Sequence, residues 1–207
     1  GANDGIISIA GIVIGVAAAT SNARSILIAG LSGTLAGMIS MCMGEYVSVS
    51  TQKDSQKMAL ISEKQRLQNQ YQHEFDYVQK KYEAQDIDPQ LAKQATKELM
   101  EKDALGTAVQ ERYGFNPNEF TSPYAAAIAS FISFPTGSIL PMVAVTVSPA
   151  NVRILATAIA VLIALLITGY FAAVLGKSNR IKSMIRNAAA GLLTMGVTYL
   201  IGQLFAR

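Results

Sequence analysis

Five long apolar blocks and one long polar stretch make up the chain. The first block, residues 5–20 (GIISIAGIVIGVAAAT), is entered through Asn3-Asp4-Gly5, and a short TSNARS loop follows it. The second, residues 28–50 (IAGLSGTLAGMISMCMGEYVSVS), carries no charge until Glu45. Three more run over about 124–147, 152–176 and 183–205. At about 1.5 Å rise per residue the second block alone covers roughly 35 Å, enough to cross a bilayer. Each block therefore predicts a spanning helix. The polar stretch between the second and third blocks keeps helical spacing, so the second helix is expected to run on into water. The fold class is all-α: a polytopic membrane protein with five transmembrane helices and a helical cytosolic insert. Its expected divisions are helices 1 and 2 in 1–51, a three-helix insert in 52–122, and helices 3 to 5 in 123–207.

Within the insert, the first helical run (about 52–68) is rich in Gln, Lys and Ser. The second carries Tyr71, Phe75, Val78 and Tyr82 at helical spacing, a packing stripe. Asp88-Pro89 opens the third, an N-cap followed by proline at N1, and Gly114 closes it. Leu91, Ala95 and Leu99 form the apolar face expected of that run. Asn116-Pro117 and Ser122-Pro123 end the insert. Beyond it, Pro135, Gly137 and Pro141 mark the third spanning helix for a break or a kink. Asn187, Thr194 and Tyr199 are the hydrogen-bonding side chains of the fifth.

Composition narrows the function classes. Of 207 residues 51% are hydrophobic, and twelve of the fourteen Asp and Glu fall between Asp54 and Glu119. A net charge of +3 thus reflects a polar insert between membrane segments, not a basic surface for nucleic acid. Cys42 is the only cysteine and His73 the only histidine, which excludes an internal disulfide and histidine-based zinc or di-iron sites. No cleavable signal peptide is visible, and because the chain starts at Gly1 without Met, residues upstream are expected. Fourteen of the seventeen Lys and Arg lie in the insert and in GKSNRIKSMIR, which five spans place on one side. That side is expected to be the cytosol, with the N-terminus in and the C-terminus out.

Candidate chemistry sits in the first two helices. At about 100° per residue, Gly30, Gly33, Gly37 and Gly44 share one narrow stripe, a seam for close helix approach. Met38, Met41 and Glu45 form a second stripe beside it, while Met43 points the opposite way. Thioether sulfur beside carboxylate oxygen suits a transition metal. An ionisable group inside a span marks an ion or proton path by default, with a satisfied structural carboxylate as the alternative. Methionine in a membrane helix is more often packing than ligand. On the first helix Asp4, Ser8, Gly11 and Gly15 share a face, and Gly11-xxx-Gly15 is expected to meet the glycine seam of the second. Asp4 is either an N-cap or a metal ligand.

GANDGIISIAGIVIGVAAA followed by AGMISMCMGEYVSVSTQ closely resembles the vacuolar iron transporter family, and the likeness covers the whole chain. The resemblance implies a homodimer that moves Fe2+, and often Mn2+, out of the cytosol in exchange for H+. It makes Asp4 and Met41 the intramembrane ligands, puts Glu45 in the family's Gly-Glu-Tyr/Phe-Val-Ser-Val signature, and leaves Met38 as a further candidate. The family also binds metal on its insert. Here Glu63 and Glu74 match acidic positions there, but their expected partners are Arg66 and Tyr77. The later methionine–glutamate cluster falls on AVQER, with Glu111 alone. Glu63, Glu74, Glu98, Glu101 and Glu111 are therefore only weak cytosolic metal candidates. For Glu98 and Glu101, solvated charge is the simpler reading.

The expected function is divalent transition-metal transport by proton antiport. Metal binding requires deprotonated carboxylates, which couples the two fluxes. No cofactor is expected to be tightly bound: Fe2+ or Mn2+ is cargo and H+ the counter-ion. Expected partners are membrane lipid, a second copy of the chain and metal ions, with no nucleic acid. The bacterial cell membrane is preferred to a vacuolar one. An enzyme is disfavoured, since there is no His cluster, nucleophile–base pair or nucleotide loop. The alternative is a non-transporting scaffold or metal sensor whose insert recruits a partner.

Overall fold

A computed structural model describes residues 1–206. Six helices make up the described chain: α1 (Ala2–Ala19), α2 (Ala23–Glu83), α3 (Pro89–Tyr113), α4 (Pro123–Val147), α5 (Arg153–Leu175) and α6 (Arg180–Leu204). Among the described residues no strand occurs. Five of the helices, all but α3, are long and apolar enough to cross a membrane. The chain divides into two compact units, Gly1–Glu45 with Tyr124–Arg207, and Tyr46–Pro123.

In the first unit α1 is the central helix. Ile6, Ala10 and Ile14 pack with Val161 and Leu165 of α5 and Met195 of α6. Ile9 and Val13, on its other side, pack with Ile26 of α2 and with Phe134 and Val145 of α4. A helix apolar on both sides is one enclosed by others. The outward faces stay apolar too: Leu31, Leu35 and Ile39 on α2, and Ile159, Ile163 and Ile167 on α5, are exposed. So much uncovered aliphatic surface fits lipid and not water.

Hydroxyls seldom link these helices. Thr34, Ser138, Thr146, Thr194 and Thr198 each donate to a carbonyl one turn back on their own helix. One polar knot ties three helices together: Asn3 Oδ1 accepts from Thr168 Oγ1 (3.1 Å) and from Asn187 Nδ2 (3.3 Å). Of the side chains expected to bond inward from the fifth spanning helix, Asn187 does so, and Thr194 bonds its own helix.

Several sequence expectations need correction. Gly11-xxx-Gly15 meets α6, not α2. Cβ atoms built on Gly11 and Gly15 would fall 2.9 Å from Thr194 Cγ2 and 3.1 Å from the Thr198 carbonyl oxygen. The α2 glycines instead receive bulky side chains: Ile12 of α1 at Gly33, and Met142 and Phe134 of α4 at Gly30 and Gly37. Pro135 and Pro141 do not break α4, which is helical throughout. There α1 and α4 touch backbone to backbone, since a Cβ on Gly137 would overlap the Ala2 carbonyl oxygen.

The second unit contains the remainder of α2 and α3. α2 leaves helical geometry once, at Gln70 (φ −143°, ψ 45°), between the first two expected runs. α3 starts as its sequence signals: the Asp88 carboxylate accepts from the amides of Gln90 and Leu91, and Gly114 (φ 74°) ends the helix. It also breaks at Asp103, whose Oδ1 accepts from the Gly106 amide (2.8 Å) and so caps a fresh helical start. The expected face of α3 is displaced by one residue. Leu91 and Leu99 are exposed, while Ala92, Thr96 and Met100 are buried. Burial of Thr96 costs little because its hydroxyl donates to the Ala92 carbonyl (2.8 Å).

Candidate functional site

The membrane candidates divide by helix face. Met38 and Met41 are half-buried and pack against the cluster of Ile9, Val13, Ile26, Phe134 and Val145. Met43 is 55% exposed, on the opposite side of α2. Glu45 is half-buried, one turn beyond Met41, and nothing lies within 4 Å of a Cβ built on its neighbour Gly44. The two methionines nearer α1 are thus held by packing, and the third is free of it.

Asp4 does not cap α1. Gly1 is the N-cap, and Asp4 sits inside the first turn, exposed, where helix-dipole attraction still favours its negative charge. Its Oδ1 accepts from Ser8 Oγ (3.0 Å). Along α1 the Asp4 face continues into an open apolar groove of about 370 Å³, bordered by Gly11, Ile12, Gly15, Thr198 and Phe205. Among the described residues no three of His, Cys, Asp and Glu gather into a metal cage.

In the second unit Glu63 and Glu74 are 0% and 1% exposed, and a cation lies between them. It is Arg112. Its guanidinium pairs with Glu74 Oε2 through Nη2 and approaches Glu63 Oε2 to 3.2 Å through Nε. The same guanidinium lies 3.8 Å over the ring of Tyr77, so the tyrosine serves as a cation–π floor and not as a metal ligand. Arg66 Nη1 is a more distant, exposed companion, 3.9 Å from Glu63. Tyr113 Oη lies 3.5 Å from Glu63 Oε2, and His73 Nδ1 lies 3.4 Å from Glu74 Oε1.

The two carboxyls are shifted in opposite directions. Burial, and then the hydrogen bond to Glu74, push Glu63 above the usual carboxylate range. Burial raises Glu74 as well, but hydrogen bonds from Arg112, Glu63 and His73 outweigh it and hold Glu74 below that range. Glu63 thus holds the more tightly bound proton of the pair, and Arg112 balances Glu74.

The other insert candidates lie apart from this pair. Glu111 accepts from Tyr82 Oη (2.9 Å), and burial with that carboxylate pushes the phenol up to about 12. Glu98 accepts from Gln94 (3.0 Å), and Glu101 lies 3.9 Å from Lys97, both on the surface. Arg112 was not among the residues singled out in the sequence. The available signal was a pair of carboxylates in the core phase of α2, which demands a cation from the facing helix.

The model of the VIT family matches residues 1–203. The chain belongs to the VIT family. Named relatives agree along nearly its whole length. A protein named vacuolar iron transporter from Acanthamoeba castellanii is 33% identical over 205 residues, covering 99% of this chain and 76% of the relative. Vacuolar iron transporter homolog 2.1 of Arabidopsis thaliana is 30% identical (96% and 75% covered). Vacuolar iron transporter homolog 1 of Oryza sativa subsp. japonica is 33% identical (99% and 71% covered).

Proposed function

We propose that this VIT family chain carries divalent transition metal, Fe2+ or Mn2+, out of the cytosol in exchange for protons, acting as a homodimer. The observation that carries this reading is Asp4. It is a carboxylate in a spanning helix, exposed on a face that leads into an uncovered apolar groove. A second copy seated on that face would bring two Asp4 carboxylates towards one axis and supply the donors one chain lacks. Met41, with Met38 behind it, adds a soft ligand that disfavours Mg2+ and Ca2+. Glu45 continues the path, and a carboxylate that holds either metal or proton couples the two fluxes.

The insert has a different part in this proposal. Arg112 already occupies the space between Glu63 and Glu74, and a guanidinium repels any divalent ion that approaches the pair. The insert is proposed to be cytosolic, together with the N-terminus, on the strength of the Lys/Arg asymmetry. Metal transport is tested by loading proteoliposomes with an Fe2+-sensitive dye or an Mn2+-sensitive dye and recording internal pH in parallel. Metal entry with opposing proton movement is expected. Metal entry without any pH change would end the antiport reading, and no metal entry at all would end the transport reading.

A further inference from the structure

At the end of the first unit where α2 and α5 begin, a cavity of about 250 Å³ is lined by Arg24, Arg153 and Thr146, with Ile26, Leu27 and Val145 as apolar walls. We propose that it seats the phosphodiester of an anionic membrane lipid.

Charge gives the first reason. Two guanidiniums share this cavity, and the stretches 1–45 and 124–207 contain only two acidic side chains, Asp4 and Glu45. Asp4 is in the first turn of α1, at the far end of an 18-residue helix that is roughly 27 Å long. Glu45 follows Arg24 along α2 by roughly 30 Å. Neither carboxylate reaches either arginine. No ion pair to Arg24 or Arg153 occurs among the described residues. Like charges at one cavity, without a protein counter-ion, call for an anion from outside.

The donors give the second. Among the described residues Arg153 Nε is buried with no hydrogen-bond partner, and the only acceptor for its guanidinium is the Ser21 carbonyl, at 3.5 Å. An unmet buried donor is costly, and a phosphate oxygen meets it with a charge-assisted bond. α5 also starts at Val152 without a side-chain cap, so its first amides and dipole favour the same anion. α2 differs, because the Asn22 side chain accepts from the Arg24 and Ser25 amides.

The walls decide for lipid over a soluble ion. Leu27 and Ile28 below Arg24, and Val147 beside Thr146, are exposed aliphatic side chains on helices of membrane-spanning length. An acyl chain descending from the phosphate lies along them. A guanidinium at the start of a spanning helix also lies at headgroup depth.

The test uses full-length protein in neutral detergent, titrated with phosphatidylglycerol and read by native mass spectrometry. Retention of one lipid per chain is expected, weakened about tenfold in both R24Q and R153Q and less in R153K, which keeps the charge but not the fork. K182Q, in the first turn of α6, should bind as wild type. Equal binding by R153Q and wild type would overturn the proposal, as would an equal loss in K182Q. Displacement of the lipid by excess inorganic phosphate would overturn the lipid assignment in favour of a free anion. If R153Q fails to fold, R24Q takes its place, and binding by R24Q equal to wild type overturns the proposal.

Discussion

Arg112 holds Glu74 in an ion pair across 38 residues of sequence, with the carboxylate buried, the arginine half-buried and its guanidinium 3.8 Å over the Tyr77 ring. A buried pair of this kind adds little net stability over an apolar replacement, but removing one partner leaves a charge uncompensated. The second unit is therefore organised around a cation that belongs to the chain.

A pH dependence with two limbs follows from the opposite shifts of the two carboxyls. Glu74, held low, contributes stability that is present above the ordinary carboxyl value of 4.5 and is lost as pH falls through its lower folded value. Glu63, held high, contributes stability that is full below 4.5 and is lost as pH rises through its raised folded value. Glu63→Gln should remove the second loss, and Glu74→Gln should destabilise the unit by about 3 kcal/mol at neutral pH. Limited proteolysis of the insert in the full-length protein, followed from pH 4 to 8, measures both. Parallel wild-type and Glu63→Gln curves above pH 5 would refute the assignment of the proton.

If Arg112 stands where a divalent ion would otherwise fit, removing it should open a site. Arg112→Gln is expected to be less stable than wild type by about 3 kcal/mol and to recover on the order of 1 kcal/mol when Mn2+ is added. Wild-type stability should not respond to Mn2+ through the insert. Equal stabilisation of both proteins by Mn2+ would show that Arg112 does not exclude the metal.

Transport should separate the methionines by face. Asp4→Asn and Met41→Leu are each expected to lower Fe2+ flux about tenfold or more, whereas Met43→Leu should stay within twofold of wild type. Glu45→Gln should weaken the proton counterflow. Proteoliposome assays decide, and a Met43→Leu defect as deep as that of Met41→Leu would reverse the facing of α2.

The orientation can be read from two loops. With Cys42 replaced, cysteines at Ala150 and Ser178, both exposed, should react with an impermeant reagent from opposite sides. Labelling of the two from one side would contradict the five-span order.

Length and hydropathy made the five spans legible, and Asp88-Pro89 with Gly114 marked both ends of α3, because these signals are local. Helical phase likewise placed Met43 away from Met41. What remained hidden depended on partners. Gly11 and Gly15 announce a close neighbour but do not say which, and Thr198 of α6 is distant in sequence. Leu91 and Leu99 satisfied the expected period, yet the buried stripe is Ala92, Thr96 and Met100, where Ala92 is small and the Thr96 hydroxyl is satisfied by its own helix. The shared phase of Glu63 and Glu74 called for a cation, but that the cation is Arg112 follows only from how α3 packs on α2.

The knot at Asn3 has a consequence for how the protein is made. α1 is made before α5 and α6, and the donors to its Asn3 side-chain carbonyl arrive 165 and 184 residues later. Through most of synthesis the central helix has neither those bonds nor the α5 and α6 faces that cover Ile6, Ala10 and Ile14. A nascent chain that stops before Asn187 lacks the second of those bonds and Met195, the α6 side chain that packs on α1. Completion of α6 is thus the event that closes the packing around α1, long after α1 and α2 themselves have been made.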